Sequence, residues 1–322
     1  MALLKALYTQ YFPAKPTLVE RDVGSQAGKV FIVTGSNTGV GYELVKMLYA
    51  SGATIYMAGR SEERMTNAIK SITSASPAPA TPASLKYLKY DLSDLNSVKA
   101  AAAEFAQQES KLDIVWHNAG VGGGKGLSTE QKLEGHIGIN CVAPLLFTEL
   151  LLPQIKAAAK ENGTARIVWT GSALTEVMAP KGGIDFKLIE AGRSTDPSTD
   201  YAASKVGNYW LAAEYARLYA KDGIISICQN PGNLNSGIFR HQPKMMMLFI
   251  KPILYEPKMG AYTELYSGFT PDITPENNNG SYIWPWGNLV KVHSRVDINE
   301  GITNGKSTKF LEWCQEKYSP YK

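Results

Sequence analysis

Two side chains that can transfer and stabilise a proton, Tyr201 and Lys205, lie four residues apart in the sequence YAASK. On a helix this spacing places both side chains on one face. An ammonium group about 5 Å from a phenol, at an effective dielectric near 20, contributes on the order of 3 kcal/mol, or roughly two pKa units. We therefore expect the pKa of Tyr201 to be lowered from about 10 towards neutral, so that Tyr201 acts as a general acid or base.

Three glycines, Gly35, Gly39 and Gly41, follow a β-branched run that predicts a first strand. Glycine permits a tight turn and lets the backbone approach a pyrophosphate, whose charge meets the N-terminus of the next helix. An ordinary turn is the alternative, but the strand–turn–helix context favours a dinucleotide-binding loop. The predicted loop residues are Gly35, Ser36, Asn37, Thr38, Gly39, Val40 and Gly41.

The end of the second predicted strand indicates which dinucleotide binds. An acidic residue there would accept hydrogen bonds from the ribose 2′-hydroxyl and select NAD. The chain instead has Arg60, with no carboxylate before Glu62. A guanidinium pairs with a 2′-phosphate and stacks on adenine, and Arg64 one turn later could reinforce it, together with donors from Ser36 and Asn37. Arg60 as a solvated cation is the alternative. We predict NADP(H).

Strands alternate with helices along most of the chain, which predicts an α/β fold with a doubly wound parallel sheet, the Rossmann fold. The predicted strands are Lys29–Thr34, Ala53–Ala58, Leu85–Tyr90, Asp113–His117, Ala165–Thr170 and Ile224–Gln229. The predicted helices are Tyr42–Ser51, Glu62–Ile72, Asp94–Gln108 with Asp94 as N-cap, Leu133–Leu152, Tyr201–Ala220 and Gly260–Phe269. We expect an N-terminal arm over 1–27 and one domain over 28–322, in which 232–322 is an irregular extension that covers the substrate.

Composition excludes several classes of protein. The net charge of +4 in 322 residues is small and dispersed, which argues against a nucleic-acid-binding surface. Hydrophobic residues make up 44%, enough for a buried core. Three distant cysteines have neither disulfide nor metal-ligand spacing, so we expect structural thiols, no metal and a reducing, cytoplasmic environment. No apolar run is long enough for a membrane span, and the first residues lack the pattern of a secretory signal.

The motifs follow one another in the order that resembles the short-chain dehydrogenase/reductase family. They are TGSNTGVG at 34–41, HNAG at 117–120 with His117 where Asn is usual, Ser172 in TGSAL, YAASK at 201–205, and PG at 231–232. The resemblance is strong over Lys29–Asn235 and loose beyond it. It implies that Ser172 holds the substrate oxygen, that Asn140 supports a water relay to Lys205, and that Lys205 also holds the nicotinamide ribose. The further cofactor contacts that it implies are Asp91, Leu92, Asn118, Ala119, Gly120, Tyr201, Lys205, Pro231, Gly232, Asn233 and Leu234.

Tyr201 follows Ser172 by 29 residues, which is longer than the commonest family spacing. This insert and the long tail resemble the retinol-dehydrogenase-like and WW-domain-oxidoreductase-like branch, which implies NADP(H) and bulky apolar carbonyl substrates. A Met-rich segment could form an adaptable lid. Core packing is an equally good interpretation, and contact with a membrane surface is a third, because lysines flank the segment. The residues are Lys244, Met245–Met247, Leu248, Phe249, Lys251 and Tyr255.

The sequence thus predicts an NADPH-dependent oxidoreductase that acts on an apolar ketone, aldehyde or secondary alcohol. A regulator that binds NADP(H) without turnover is the alternative, although such proteins typically lose the tyrosine or lysine that this chain keeps. A sugar-nucleotide epimerase is disfavoured, because the glycines do not follow TGxxGxxG. A monomer and a homodimer are both open.

Overall fold

Runs of buried apolar residues form the central parallel strands, because such strands are covered on both faces. The computed structural model describes residues 2–74, 76–194, 196–235 and 254–322. Its strands are β1 Val30–Thr34, β2 Thr54–Gly59, β3 Ser84–Lys89, β4 Ile114–His117, β5 Ala165–Thr170, β6 Ile224–Gln229, β7 Tyr282–Trp284 and β8 Asn288–Val290. They form one sheet in the order β3-β2-β1-β4-β5-β6-β7-β8.

All neighbouring strands pair in parallel except β7 and β8, which are antiparallel. The predicted doubly wound parallel sheet is therefore confirmed. The prediction of six strands was wrong, since the described part of the chain has eight. Three residues each for β7 and β8 are too few to show a strand periodicity, so the tail sequence did not reveal them.

Helices cover both faces of the sheet. They are α1 Ala2–Tyr11, α2 Gly39–Leu48, α3 Glu62–Thr73, α4 Leu95–Gln108, α5 Gly135–Ile137, α6 Ala143–Leu150, α7 Leu152–Asn162, α8 Phe186–Glu190, α9 Pro197–Tyr219, α10 Pro257–Phe269, α11 Val296–Thr303 and α12 Lys306–Tyr318. Short 3₁₀ turns are Glu20–Asp22, Tyr49–Ser51, Ala173–Glu176, Ala220–Asp222 and Ser319–Tyr321.

The predicted helix Leu133–Leu152 is divided in the structure. A π-helical turn, Gly138–Val142, separates α5 from α6, and α7 starts separately at Leu152. Proline lies in the first turn of both α6 and α7. Because proline lacks an N–H and has a fixed φ, it fits the start of a helix better than its interior. Apolar spacing alone therefore overestimated the length of one helix and missed the next.

Two hydrophobic cores lie on opposite faces of the sheet. One joins side chains of α2, α3 and α10, including Leu44, Met65 and Leu265. The other joins α4, α6, α7, α9 and α12, including Phe105 and Trp210. Helix α9 therefore reaches the ends of β5 and β6 from one face, and α10 reaches them from the other.

Gly35, in the turn after β1, is under two constraints. Its φ is +68°, and a methyl group there would lie 3.0 Å from both Cα and Cβ of Ala119. Gly28 has a φ of +78° but open space around it.

We expect Gly28→Ala to lower the free energy of unfolding by about 1–2 kcal/mol through backbone strain. We expect Gly35→Ala to lower it by about 1–3 kcal/mol more, because the added methyl group also overpacks the contact with Ala119. Urea denaturation of both variants measures the difference, and equal losses would show that the contact with Ala119 is unimportant.

Candidate active site

Tyr201 and Lys205 lie in the first half of α9, which starts at Pro197 after the N-cap Asp196. The Asp196 side chain accepts a hydrogen bond from the Ser198 N–H at 3.0 Å. Both functional side chains are buried, and Lys205 Nζ lies 5.4 Å from the centre of the Tyr201 ring. The helix thus brings an ammonium group and a phenol together, as their spacing predicts.

Lys205 is held by the last residue of β5. Its Nζ donates a hydrogen bond to the carbonyl oxygen of Thr170 at 2.9 Å, and Asn208 Nδ2, one turn further along α9, donates to the same oxygen at 2.8 Å. Burial lowers the pKa of Lys205 to about 8. The amine is therefore still mostly protonated at pH 7.

The pKa of Tyr201 departs from our expectation. Burial raises it to about 12, and a hydrogen bond with the Ser172 side chain lowers it only in part. The ammonium group of Lys205 by itself therefore does not offset the cost of removing a phenolate from water, which the charge separation alone leaves out. A lowering towards neutral pH that also depends on the positive charge of an oxidised nicotinamide stays a prediction. A phenol that stays protonated at neutral pH is suited to donating a proton.

Ser172 follows β5 and caps the 3₁₀ turn Ala173–Glu176. Its Oγ accepts a hydrogen bond from the Leu174 N–H at 3.2 Å. Its carbonyl oxygen accepts from Thr175 Oγ1 at 2.6 Å and from the Tyr282 hydroxyl at 3.3 Å. These contacts fix the position of the serine, and its side chain faces the Tyr201 hydroxyl.

Asn140 lies in the π-helical turn, a feature frequent at functional sites. Its Oδ1 accepts from the Val121 N–H at 2.9 Å, and its Nδ2 donates to the Val121 carbonyl at 3.0 Å and to Ser204 Oγ at 2.9 Å. A methyl group on Gly120 would lie 2.9 Å from Asn140 Oδ1 and 3.5 Å from Lys205 Nζ. Asn140 and Lys205 therefore converge on the same glycine.

The glycine loop leaves the N-terminus of α2 accessible, as a site for a pyrophosphate would require. Thr38 is the N-cap of α2, but its side chain makes no capping hydrogen bond. At Gly39, where φ is +66°, a methyl group would meet nothing within 4 Å, so the space beside the helix N-terminus is open. Asn118 Nδ2 donates to the Thr34 carbonyl at 2.9 Å, and the Ala119 N–H donates to Thr34 Oγ1 at 2.9 Å. The segment after β4 thus supports the loop.

The predicted phosphate donors differ in orientation. Ser36 is fully buried, and its hydroxyl donates inward to the Val33 carbonyl at 3.0 Å. Its hydroxyl is therefore engaged with the protein's own backbone, and its role as a donor to a 2′-phosphate stays a prediction. Asn37 is partly exposed, and Arg60 is exposed after the last residue of β2. One carboxylate oxygen of Asp91 accepts hydrogen bonds from the Ser93 N–H at 3.0 Å and from the Ser93 hydroxyl at 2.8 Å.

The turn after β6 approaches the glycine loop. Gly232 has a φ of +100°, and its N–H donates to Asn230 Oδ1 at 3.1 Å. A methyl group on Gly260 of α10 would contact Leu234 and would lie 3.0 Å from Val40 and 3.1 Å from the Pro231 carbonyl. Helix α10 therefore packs against both the glycine loop and the turn after β6, the two segments that were predicted to contact opposite halves of a dinucleotide. The roles of Asp91, Leu92, Asn233 and Leu234 as cofactor contacts stay predictions.

The sequence did not predict two groups beside this site. Gln10 of α1 is buried, and its amide donates to Glu176 Oε1 at 3.1 Å and accepts from Asn230 Nδ2 at 2.8 Å. Gln10 therefore connects the N-terminal helix to two segments, the one that follows Ser172 and the one that precedes Pro231. No local sequence signal indicates such a contact.

The second group surrounds His136. Its ring packs edge-on against Tyr201 with centroids 6.5 Å apart, and Nδ1 lies 2.9 Å from Glu134 Oε1. Glu134, His136 and Asp200 also bring ligand-type atoms within 4.8 Å of one another. Both oxygens of Glu134 already accept the backbone N–H groups of His136 and Ile137, so capping of α5 explains this carboxylate.

His117, at the end of β4, is buried against Trp169, and its Nε2 lies 2.8 Å from Thr148 Oγ1. Burial lowers its pKa from 6.5 to about 3. Below pH 6.5 the unfolded chain binds a proton at His117 that the folded chain does not, so stability falls as the pH decreases.

We expect His117 alone to lower the free energy of unfolding by about 2 kcal/mol between pH 7 and pH 5. Urea denaturation at both values should show a smaller loss for His117→Asn, and an unchanged loss would contradict this assignment.

Comparison with known proteins agrees with this geometry. A family model described as short chain dehydrogenase matches residues 29–184. The short-chain dehydrogenase/reductase iacJ of Pestalotiopsis fici is 50% identical over 326 residues, with all of both chains covered. The short-chain dehydrogenase/reductase bet4 of Neocamarosporium betae is 37% identical, over 99% of this chain and 94% of its own. The chain therefore belongs to the short-chain dehydrogenase/reductase family, a family of oxidoreductases that use nicotinamide cofactors.

A solved structure shares the fold at low sequence identity. The NADPH-bound carbonyl reductase from chicken fatty liver has a TM-score of 0.60 and 20% identity, covering 83% of this chain and 99% of its own.

Over the described part of the chain, no single helix combines the length and apolar composition needed to cross a membrane. The bent pair Gly135–Leu150 and Leu152–Asn162 meets both criteria jointly, with 61° between its helices.

Proposed function

We propose that the protein is an NADPH-dependent oxidoreductase that interconverts an apolar ketone or aldehyde and the corresponding alcohol. The observation that carries this proposal is the convergence of three side chains at the carboxyl ends of the strands. The Tyr201 phenol is hydrogen-bonded to Ser172, and its ring lies 5.4 Å from Lys205 Nζ. Ligands of open α/β sheets bind at this edge.

The cofactor would be held by the glycine loop, with its pyrophosphate against the open N-terminus of α2. Arg60 would pair with the 2′-phosphate, because it is exposed at the end of β2. The end of β2 also lacks the carboxylate that would bind the ribose 2′-hydroxyl of NAD. NADPH bound to the structurally similar chicken carbonyl reductase supports this choice. When bound, the nicotinamide supplies the hydride, and Lys205 and the Pro231–Gly232 turn would hold its end of the molecule.

The protein's own residues would handle the proton and the developing charge. Ser172 would hydrogen-bond the carbonyl oxygen and orient it. Tyr201 would donate its phenolic proton to that oxygen as negative charge develops on it. The Lys205 ammonium would then stabilise the phenolate that remains. Asn140 would hold the π-helical turn and the water path to Lys205, because its amide binds Val121 and Ser204 on either side.

Exposed apolar side chains near Ser172 support an apolar substrate. Val177 is 50% and Met178 37% exposed, directly after the 3₁₀ turn that Ser172 caps. Helix α1, which Gln10 connects to that turn, exposes Leu4 and Tyr8. We propose that 28–322 is the catalytic domain, and that the arm 1–27 and the extension 232–322 enclose the substrate.

Most of the predicted lid lies outside the described residues, namely Met245–Met247, Leu248 and Phe249. Tyr255 is described and packs edge-on against Trp286, with ring centroids 4.7 Å apart. Its hydroxyl donates to the Tyr11 carbonyl at 3.2 Å. Tyr255 therefore joins the extension to the N-terminal helix, an arrangement consistent with a shared cover over the site.

NADPH consumption with a panel of ketones and aldehydes tests the proposal. We expect turnover of bulky apolar carbonyl compounds and none of sugars or small polar ketones, because the side chains exposed after the turn that Ser172 caps, Val177 and Met178, are apolar. Alcohols of the same panel should reduce NADP⁺ in the reverse assay. Tight NADPH binding without turnover in either direction would instead support the regulatory protein that the sequence leaves as an alternative.

A further inference from the structure

Glu264, in α10, is a fully buried carboxyl group that the mechanism above does not use. Its Oε1 accepts hydrogen bonds from Gln229 Nε2 at 2.8 Å and from Thr170 Oγ1 at 3.4 Å. Its Oε2 has no hydrogen-bond partner among the described residues. Burying a carboxyl group that lacks full hydrogen bonding destabilises a fold. A contribution to stability therefore does not explain why a carboxyl group occupies this position.

Thr170 links this carboxyl group to the catalytic lysine. The threonine hydroxyl contacts Glu264 and accepts from Gln229 Nε2 at 3.2 Å. Its carbonyl oxygen accepts from Lys205 Nζ at 2.9 Å and from Asn208 Nδ2 at 2.8 Å. One residue at the end of β5 is thus held by α10 through its side chain and by α9 through its backbone.

We propose that Glu264 is a positioning residue for Lys205. Through Thr170 and Gln229 it fixes the carbonyl oxygen that binds the lysine ammonium, and its carboxylate favours the ammonium form at alkaline pH. The importance of this for catalysis rests on the proposed function. The effect on the protonation of Lys205 does not, since it involves only side chains of this protein that Thr170 brings together.

The charges around Lys205 agree with this proposal. Burial raises the pKa of Glu264 to about 8, and its carboxylate in turn raises the pKa of Lys205. The other titratable groups that face Lys205 are Tyr201 on its own helix, Cys141 from the π-helical turn and Cys228 from β6. Burial raises the pKa of all three further above neutral. Glu264 is therefore the group among these that becomes negative first as the pH rises.

The test is a direct titration of the Lys205 amine by NMR of protein labelled with ¹³C-lysine, with the signal assigned by its loss in Lys205→Met. We expect Glu264→Gln, which keeps the shape but cannot ionise, to lower the pKa of Lys205 by at least about 0.5 unit. Glu264→Met should shift it in the same direction. Thr263→Val is the matched control, because Thr263 is also fully buried on α10, and its hydroxyl has no hydrogen-bond partner among the described residues.

A Lys205 pKa that is the same in wild type and Glu264→Gln would overturn the inference, whether or not the protein turns over any substrate. Thermal unfolding of each variant shows whether α10 stays packed. Where turnover is found, Glu264→Gln should move the alkaline limb of the kcat profile to lower pH with little change in KM. A uniform loss of activity at all pH values, with Lys205 titrating as in wild type, would assign Glu264 a structural role only.

Discussion

Replacing Tyr201 with phenylalanine should lower kcat for carbonyl reduction by about 100- to 10,000-fold, the usual contribution of a general acid. The variant keeps the ring that packs against His136 and lacks only the hydroxyl that is hydrogen-bonded to Ser172. NADPH binding should change much less than kcat, since the glycine loop, Arg60 and Lys205, which we propose hold the cofactor, are unchanged in this variant. Steady-state kinetics and fluorescence titration measure the two quantities separately.

Tyr215→Phe provides the matched control. Tyr215 is fully buried on the same helix, and its hydroxyl donates to Glu149, on α6. This variant should retain wild-type kcat even if its melting temperature falls. If Tyr201→Phe still reduced a good substrate at more than a tenth of the wild-type rate, Tyr201 would not be the proton donor.

Replacing Arg60 with alanine should weaken NADPH binding by about 10- to 100-fold, because a hydrogen-bonded ion pair contributes about 1.5–3 kcal/mol. NADH lacks the 2′-phosphate, so its affinity should hardly change. The wild-type preference for NADPH would then largely disappear. Titration of both proteins with both cofactors, at low and high salt, measures this preference.

The control for net charge is Lys70→Ala, which removes an exposed cation from the far end of helix α3. It should leave the NADPH preference unchanged. Wild-type protein that binds NADH as tightly as NADPH would show that Arg60 is a solvated cation, and would favour alcohol oxidation as the direction to examine.

The central architecture and part of the site could be predicted from local sequence. The strands β5 and β6 have the predicted bounds, and Asp94 caps α4 by accepting from the Asn96 N–H at 3.0 Å. Tyr201 and Lys205 face the same way because a four-residue spacing on a helix requires it. Each of these features depends on residues that are close together in the chain.

Features that depend on distant parts of the chain could not be predicted. The contacts of Gln10 with Asn230 and of Glu264 with Thr170 join segments whose approach only the complete sheet determines. The high pKa of Tyr201 arises from burial by surrounding elements, which a calculation from one charge pair omits. The inward hydroxyl of Ser36 likewise depends on the backbone path of the loop, which residue types do not specify.

The most direct test of the proposed function is transfer of deuterium to an apolar ketone from NADPH that carries deuterium in both C4 positions of the nicotinamide, followed by mass spectrometry of the product. We expect one deuterium on the carbinol carbon with wild-type protein and with Tyr215→Phe, and at least about 100-fold slower incorporation with Tyr201→Phe. Tight NADPH binding with no deuterium transfer to any carbonyl compound that the protein binds would contradict the proposed function, and would identify the chain as a cofactor-binding protein without turnover.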